Sequence, residues 1–364
     1  MNVAIMFGGP SVEHDISIIT AMQVYSAIDK KKYNVMLIYY SKDKKFYETR
    51  NFEYFKKSKE DIKLLDEVTI NRLGVKKRGK FHKTKPIDFV ICTFHGKNTE
   101  SGELAGYLDT IGLPYSSNSI LGASIGQDKI IMKKILSYDG INVLPFIEVD
   151  YNGYLIENDK LIKKVDELGY PIIVKPSNLG SSIGIKKVNN QNELNKALNY
   201  AFKYDSNVIL ERCLNDFREF NCAIFGDIIS SIEEVKVKNT IFSFKDKYET
   251  DEVEHILPAE IDSSLEDEIL NLTRKTNASL RNESIARVDF LYDNNTKKVY
   301  VNEINTIPGA LSYYLFEEKG IYFDELIDRL ISFGLKRDYK KKELISSFTS
   351  NVLNQNQTNN KINK

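Results

Sequence analysis

Two short runs near the C-terminal end constrain this chain more than any other feature: Ala286-Arg-Val-Asp-Phe-Leu-Tyr292 and Lys298-Val-Tyr-Val-Asn-Glu-Ile-Asn305. Both are rich in β-branched and aromatic residues. Asp293, Asn294, Asn295 and Thr296 between them favour turns and tolerate left-handed backbone, so the stretch reads as a β-hairpin leading into Pro308-Gly309. Side chains alternate along a strand, which puts Arg287 and Asp289 on one face of the first run and Glu303 and Asn305 on one face of the second. The two faces coincide only if the turn holds an odd number of residues, such as three with a bulge, and that register is the expectation. An arginine, two carboxylates and a carboxamide then share one surface. Oxygen-only ligands suit a hard cation such as Mg²⁺, whose remaining positions go to phosphates and water. The competing reading is a purely structural network of arginine and carboxylates.

The length of 364 residues allows two to three domains, each with its own core. With 51 basic and 51 acidic residues the chain has no net field to draw it to nucleic acid or to an anionic membrane, and neither is expected as a partner. Cys92, Cys213 and Cys222 are odd in number and lack C-x-x-C spacing, which fits a reducing cytoplasm better than a disulfide framework or a zinc site. Met1 to Phe7 is too short for a secretion signal and reads as a buried strand. No apolar run is long enough to span a bilayer.

That first strand enters Gly8-Gly-Pro-Ser11, and Val12, Ile16 and Ile19 follow at helical spacing before the apolar run Val35 to Tyr40. This is a βαβ opening, whose glycine turn offers backbone N–H groups at a helix start. Lys42 to Lys85 is charged and weakly patterned, and is expected to form peripheral hairpins. Asp88 to Phe94 is a buried strand delivering His95-Gly96 at its C-terminal end. Ser119 to Tyr138 reads as one helix with Ser119 as its N-cap, carrying Asp128-Lys129. Tyr170 to Pro176 is a strand with Lys175 on it, followed by the Ser/Gly loop to Gly184, which can lay N–H groups around phosphate oxygens as a nest, and by a strand from Ile185 to Val188. Further strands are expected at Asn207 to Glu211, Glu219 to Ile224 and Glu233 to Val237. The long polar passage after the last contains Phe242 to Tyr248 and has the length of a functional lid. A helix from Ser263 to Leu280 follows, and the sequence from Asn354 onward is low in complexity and expected to be disordered.

Taken in order, Gly8-Gly-Pro-Ser-Val-Glu13, His95-Gly96, Asp128-Lys129, Val174-Lys-Pro-Ser177, Gly180-Ser-Ser-Ile-Gly184, Lys247-Tyr248, Pro258-Ala259, Arg287-Val-Asp289 and Asn302-Glu-Ile-Asn-Thr-Ile-Pro-Gly309 resemble the D-alanine D-alanine ligases of the ATP-grasp superfamily. The resemblance implies an α/β fold of three domains: an N-terminal α/β domain over 1–118, a central domain over 119–206 and a catalytic domain over 207–340, with a polar tail at 341–364. It implies ligation of a carboxylate to an amine through an acyl phosphate, forming D-alanyl-D-alanine for peptidoglycan in the cytoplasm. Small amino acids would be the substrates, ATP with two Mg²⁺, or Mn²⁺ in their place, the cofactors, and a homodimer the assembly. By the same likeness Asp289, Glu303 and Asn305 would ligate the metals. Lys129 and Lys175 would hold phosphates, and Lys247 would reach the γ-phosphate. Glu211 would recognise the adenine amino group and Glu219 the ribose. Arg287 with the Gly309 N–H would hold the first substrate's carboxylate and the oxyanion. Glu13 would take that substrate's ammonium, linked through Ser181 and Tyr248.

Two departures fall in the acceptor region. The family's acceptor serine, eleven residues past the metal glutamate, is Tyr314 here, with Ser312 two residues earlier. The usual H-G-x-x-G-E-D-G becomes His95-Gly-Lys-Asn-Thr99-Glu100-Ser101-Gly102. D-Serine or another amino acid as acceptor is therefore the first rival reading. A nucleotide-binding module without turnover is the second, disfavoured because a mere binder has no need of an oxyanion arginine. A nicotinamide oxidoreductase, lacking the G-x-G-x-x-G fingerprint, is the third.

Overall fold

The computed structural model describes residues 1–55, 65–79, 82–156, 158–237 and 253–351. Lys247 and Tyr248, the rest of the expected lid, and the tail from Asn354 lie outside the described residues.

Three sheets organise the described residues. The first contains β1 (Asn2–Gly8), β2 (Asn34–Tyr40), β3 (Phe46–Thr49), β4 (Asp66–Asn71), β5 (Gly74–Lys77) and β6 (Phe89–Cys92), in the order β5-β4-β3-β2-β1-β6. Strand β1 lies parallel to both β2 and β6, and helix α1 (His14–Ala27) makes the crossover between β1 and β2. Val3 to Phe7 are fully buried, as befits a parallel strand covered on both faces. The lysine-rich passage supplies β3 to β5, which extend this sheet as antiparallel hairpins.

The second sheet has four antiparallel strands, β7 (Phe146–Asp150), β8 (Ile172–Pro176), β9 (Lys186–Val188) and β10 (Asn207–Arg212), ordered β7-β10-β8-β9. The third is β11 (Phe217–Phe225), β12 (Ile228–Val237), β13 (Val253–Ile256), β14 (Ala286–Asp293) and β15 (Lys298–Asn305), ordered β13-β12-β11-β14-β15. Among the described residues strand β10 pairs with β7 and β8 only, so a division at 206/207 falls before a strand of the middle sheet.

The expected helix over Ser119 to Tyr138 is two helices. Helix α2 (Glu103–Ile111) precedes them; α3 (Ile120–Gln127) and α4 (Lys129–Tyr138) then meet at Asp128, whose backbone is extended (φ −86°, ψ 103°). The Asp128 carboxylate accepts hydrogen bonds from the N–H groups of Ile130 and Ile131 and caps α4. Periodicity alone misses this break because an aspartate in mid-pattern looks like a solvated position. Met132 and Leu136 of α4 pack into the core beneath the third sheet, together with Phe220, Val288, Phe290 and Val301. The C-terminal helix over Phe323–Glu343 instead buries Leu326, Ile327, Leu330 and Ile331 in the core of the first sheet. No helix of the described residues is long and apolar enough to cross a membrane.

The hairpin register arises differently from the expectation. Asp293 pairs with Lys298, which leaves a turn of even length, and the pairing shifts by one between Asp289 and Phe290. Asn302 is the extra residue of this β-bulge. Beyond it Asp289 faces Glu303 and Arg287 faces Asn305, as the shared surface requires. The odd count therefore sits in the strand rather than in the turn.

Candidate active site

Cross-strand pairing carries the site across the whole third sheet. Glu233 on β12 is opposite Asn221 on β11, Asn221 opposite Asp289 on β14, and Asp289 opposite Glu303 on β15. Arg287, two residues from Asp289, lies on the same face. Its guanidinium clasps Asp289 through Nε–Oδ1 (2.7 Å) and Nη2–Oδ2 (2.9 Å), and Asn305 donates to the same carboxylate at 3.0 Å. This paired fork holds the arginine in one orientation.

The polar face forms one wall of a cavity of about 330 Å³. Helix α1 and the loop after β6 supply the opposite wall, including Glu13, Thr20, His95 and Glu100, while Gln127, Lys129, Gly180 and Ser181 close one side. Glu13, buried at the start of α1, accepts a short hydrogen bond from Ser181 of the middle region. Two glycines make room for its carboxylate. A Cβ on Gly96 would come 2.4 Å from Glu13 Oε2, and one on Gly180 would come 2.8 Å from either oxygen.

The loop after β15 is locked to the first sheet by groups in the altered His95 to Gly102 stretch. Glu100 accepts from the N–H of Ile307 (2.8 Å), the N–H of Gly96 (2.9 Å) and the Thr306 hydroxyl (3.1 Å). Burial and the nearby Glu13 charge raise its pKa to about 7. His95 is buried, which lowers its pKa to about 4 and keeps the imidazole neutral, hydrogen-bonded to Thr20 (2.9 Å) and to the backbone of Ile307. Thr20 in turn accepts from the Ala310 N–H at 3.3 Å. These contacts fix where Gly309 sits on the cavity wall beside Arg287.

A second cavity of about 110 Å³ lies between the middle and third sheets, lined by Leu144, Ile173, Ile185, Phe217 and Leu291 and by the strand end Glu211 to Leu214. It shares Lys129, Glu219 and Glu303 with the larger cavity, so the two meet at a charged junction. Lys129, placed at the first turn of α4 by the break at Asp128, lies 3.2 Å from Glu303 and donates to the Leu179 carbonyl at 2.8 Å. One helical turn on, Lys133 is fully buried and pairs with Glu211 at 2.8 Å, while Lys175 approaches the same carboxylate at 2.5 Å. Burial would raise the pKa of Glu211, but the two ammonium groups outweigh it and hold the value at about 2. The carboxylate expected to reach an adenine amino group is thus engaged by two lysines and 1 % exposed. Lys175 also donates to the Asn302 side chain (3.2 Å), which the bulge turns toward it.

Sequence reasoning passed over Lys133 and the wall opposite Glu303. Lysine in an amphipathic helix reads as a surface residue, and only its position four residues after Lys129, hence on the same face, hinted otherwise. At the far wall Glu233 is buried and accepts from Asn221 (3.0 Å), His255 Nδ1 (2.8 Å) and the Tyr314 hydroxyl (3.1 Å). Ser312 is fully buried and is not among the residues lining the cavity, whereas Tyr314 lines it.

An apolar slot between two antiparallel sheets, opening past paired lysines onto carboxylates and an arginine, defines an ATP-grasp ligase. Comparison with known proteins narrows the class. Residues 2–118 match the family described as D-ala D-ala ligase N-terminus, and residues 135–332 match D-ala D-ala ligase C-terminus. The chain belongs to the D-alanine–D-alanine ligase family of ATP-dependent ligases. It is 38 % identical to the D-alanine–D-alanine ligase of Thermosipho melanesiensis, over 96 % of this chain and 98 % of that protein. Among solved structures it is similar to the VanG D-Ala:D-Ser ligase of Enterococcus faecalis, with TM-score 0.79, 28 % identity and coverage of 92 % of this chain and 99 % of that one. It is also similar to the Bacillus anthracis D-alanine–D-alanine ligase complexed with ATP, with TM-score 0.70, 27 % identity and coverage of 94 % and 99 %.

Proposed function

We propose that the protein joins two molecules of D-alanine at the expense of ATP, through an acyl phosphate, in three domains arranged along these two cavities. The observation that carries this reading is the continuous path from an apolar slot, past Lys129 and Glu303, to Arg287 and Glu13. Adenine would occupy the slot between the sheets, its edge along the backbone of Glu211 to Leu214. Glu219 would hold the ribose, and Lys129 and Lys175 the phosphates. Lys247 and Tyr248 keep their expected roles within the proposal.

The donor set at the junction fits Mg²⁺. Asp289 and Glu303 face each other and, with Asn305, offer oxygen ligands, while the described lining carries Glu13, Glu100 and Glu219 besides. Among the described residues no three acidic, histidine or cysteine side chains enclose an ion, so phosphates and water would complete the coordination. When bound, the cations supply charge neutralisation for the approach of a carboxylate to a phosphate.

The remaining work falls to the chain. Arg287 holds the first D-alanine's carboxylate, and Glu13, braced by Ser181, takes its ammonium. As the acceptor amine attacks the acyl carbon, charge builds on the acyl oxygen, and Arg287 with the Gly309 N–H stabilises it; the C–O bond to phosphate then breaks, inorganic phosphate leaves and the amine gives up a proton. Enclosure matters because an acyl phosphate reacts with water. A cytoplasmic homodimer supplying peptidoglycan precursors completes the proposal by family likeness, and light scattering tests the dimer.

A second reading, D-serine as acceptor, is favoured by the likeness to the VanG D-Ala:D-Ser ligase and by Tyr314 at the position where the family resemblance implies a serine. The test is phosphate release from ATP and Mg²⁺ with D-alanine alone and with D-alanine plus a panel of acceptors, followed by mass spectrometry of the products. D-alanyl-D-alanine from D-alanine alone upholds the first reading. Turnover only with another acceptor reassigns the acceptor pocket and keeps the donor roles.

A further inference from the structure

An acceptor amino acid brings a carboxylate into the cavity, and that charge needs a counter-charge. Neither residue expected to meet it is available. Ser312 is sealed from the cavity, and the Tyr314 hydroxyl donates to Glu233.

The sheet order places the candidates. Glu303 lies on β15 at one edge and His255 on β13 at the other, four strand spacings or roughly 19 Å apart. Arg287 and Asp289 lie between them on β14. Phosphates at the Glu303 edge, a donor at Arg287 and an acceptor beyond it therefore follow one another along the sheet. Apart from His95, which burial keeps neutral, Lys129, Arg287 and His255 are the described cavity-lining residues that can carry positive charge. Lys129 sits at the Glu303 edge, and Arg287 is clasped by Asp289. His255 alone of the three stands at the acceptor edge.

We propose that His255, oriented by Glu233, binds the carboxylate of the acceptor amino acid in place of the family's serine. This rests on the amino-acid ligase reading above. Glu233 is an acceptor only, so the 2.8 Å contact makes His255 Nδ1 the donor and leaves Nε2 to the ligand. Burial of Glu233 beside an imidazole that is 55 % exposed gives a fixed anchor with a reachable tip. The bond to Glu233 also raises the pKa of His255, which favours the charged ring. Tyr314 and Asn221 brace Glu233 from two further directions. The acidic anchor and the tyrosine therefore belong together: a serine at 314 would leave Glu233 short of a donor.

The test is competition between D-alanine and D-alaninamide as acceptors, with the two products counted by mass spectrometry. Wild-type synthesis of D-alanyl-D-alanine checks the underlying reading; its absence overturns D-alanine as acceptor, and the competition is then run between the acceptor that the wild type uses and that acceptor's amide. In His255→Gln the preference for D-alanine over the amide falls by about tenfold or more, the loss expected for one charge-assisted hydrogen bond. An unchanged ratio in a variant that still makes dipeptide overturns the inference. If the variant makes neither product, hydroxylamine trapping decides: D-alanyl hydroxamate at the wild-type rate places the defect at the acceptor and supports the inference, and its loss refutes it.

Discussion

The two edges of the cavity bury charge differently. On the Glu211 side, Lys133, Glu211 and Lys175 are 0 %, 1 % and 8 % exposed and pair with one another within the protein, although Glu211 and Lys175 also line the second cavity. On the Glu233 side the carboxylate is equally buried, but its partners His255 and Tyr314 reach the cavity. A sealed ion network is bound up with the fold, because removing one member strands another in a low dielectric. A buried anchor with reachable partners can change its ligand without unfolding its surroundings.

Glu303, where the two cavities join, gives the largest expected effect. Glu303→Ala lowers turnover by at least roughly 10³-fold through loss of the proposed metal ligand, while the melting temperature moves by a few degrees at most. Undiminished phosphate release would remove this residue from the proposed metal set.

Glu211→Gln sharpens the contrast between the edges. It leaves Lys133 buried without its partner and costs about 3–5 kcal/mol in denaturant unfolding, and adding Lys133→Met recovers about 2 kcal/mol of that. A loss below about 1 kcal/mol would erase the distinction between a sealed edge and a reachable one.

Glu100, on the wall facing the sheet, ties stability to pH. Its pKa is raised from the ordinary 4.5 to about 7, so the native state keeps a proton that the unfolded chain releases. This group's contribution to stability is fully present below about 4.5 and is lost, by about 3 kcal/mol, as pH rises through about 7. Glu211 runs the other way: its contribution is in place above 4.5 and is lost as pH falls through about 2. Unfolding curves of Glu100→Gln should lack the decline between 4.5 and about 7, and retention of the full slope would assign it to other groups.

Tyr314→Phe is the mildest change. Glu233 keeps Asn221 and His255, so the cost is about 1 kcal/mol. A loss as large as that of Glu211→Gln would mean that the fold depends on the acceptor edge no less than on the sealed one.

Much of the proposed donor and nucleotide side is legible in the sequence. Arg287, Asp289, Glu303 and Asn305 alternate on strands whose turn is marked by Asp and Asn, and Lys175 precedes a Ser/Gly loop on an apolar strand. The kink at Asp128 is harder to see, since an N-cap within a periodic pattern looks like a surface aspartate. Glu233, His255 and Tyr314 are not legible as a unit at all, being separated by 22 and 59 further residues of chain.

What the sequence by itself determined are the local properties: which runs are strands, which side chains share a strand face, and which residues turn the chain. Tertiary structure decided the Asn302 bulge that brings the hairpin faces together, the sealing of Lys133 against Glu211, and the meeting of Tyr314, Glu233 and His255. The physical reason is that alternation follows from backbone geometry within one strand, whereas the environment of a charge depends on which distant elements become its neighbours.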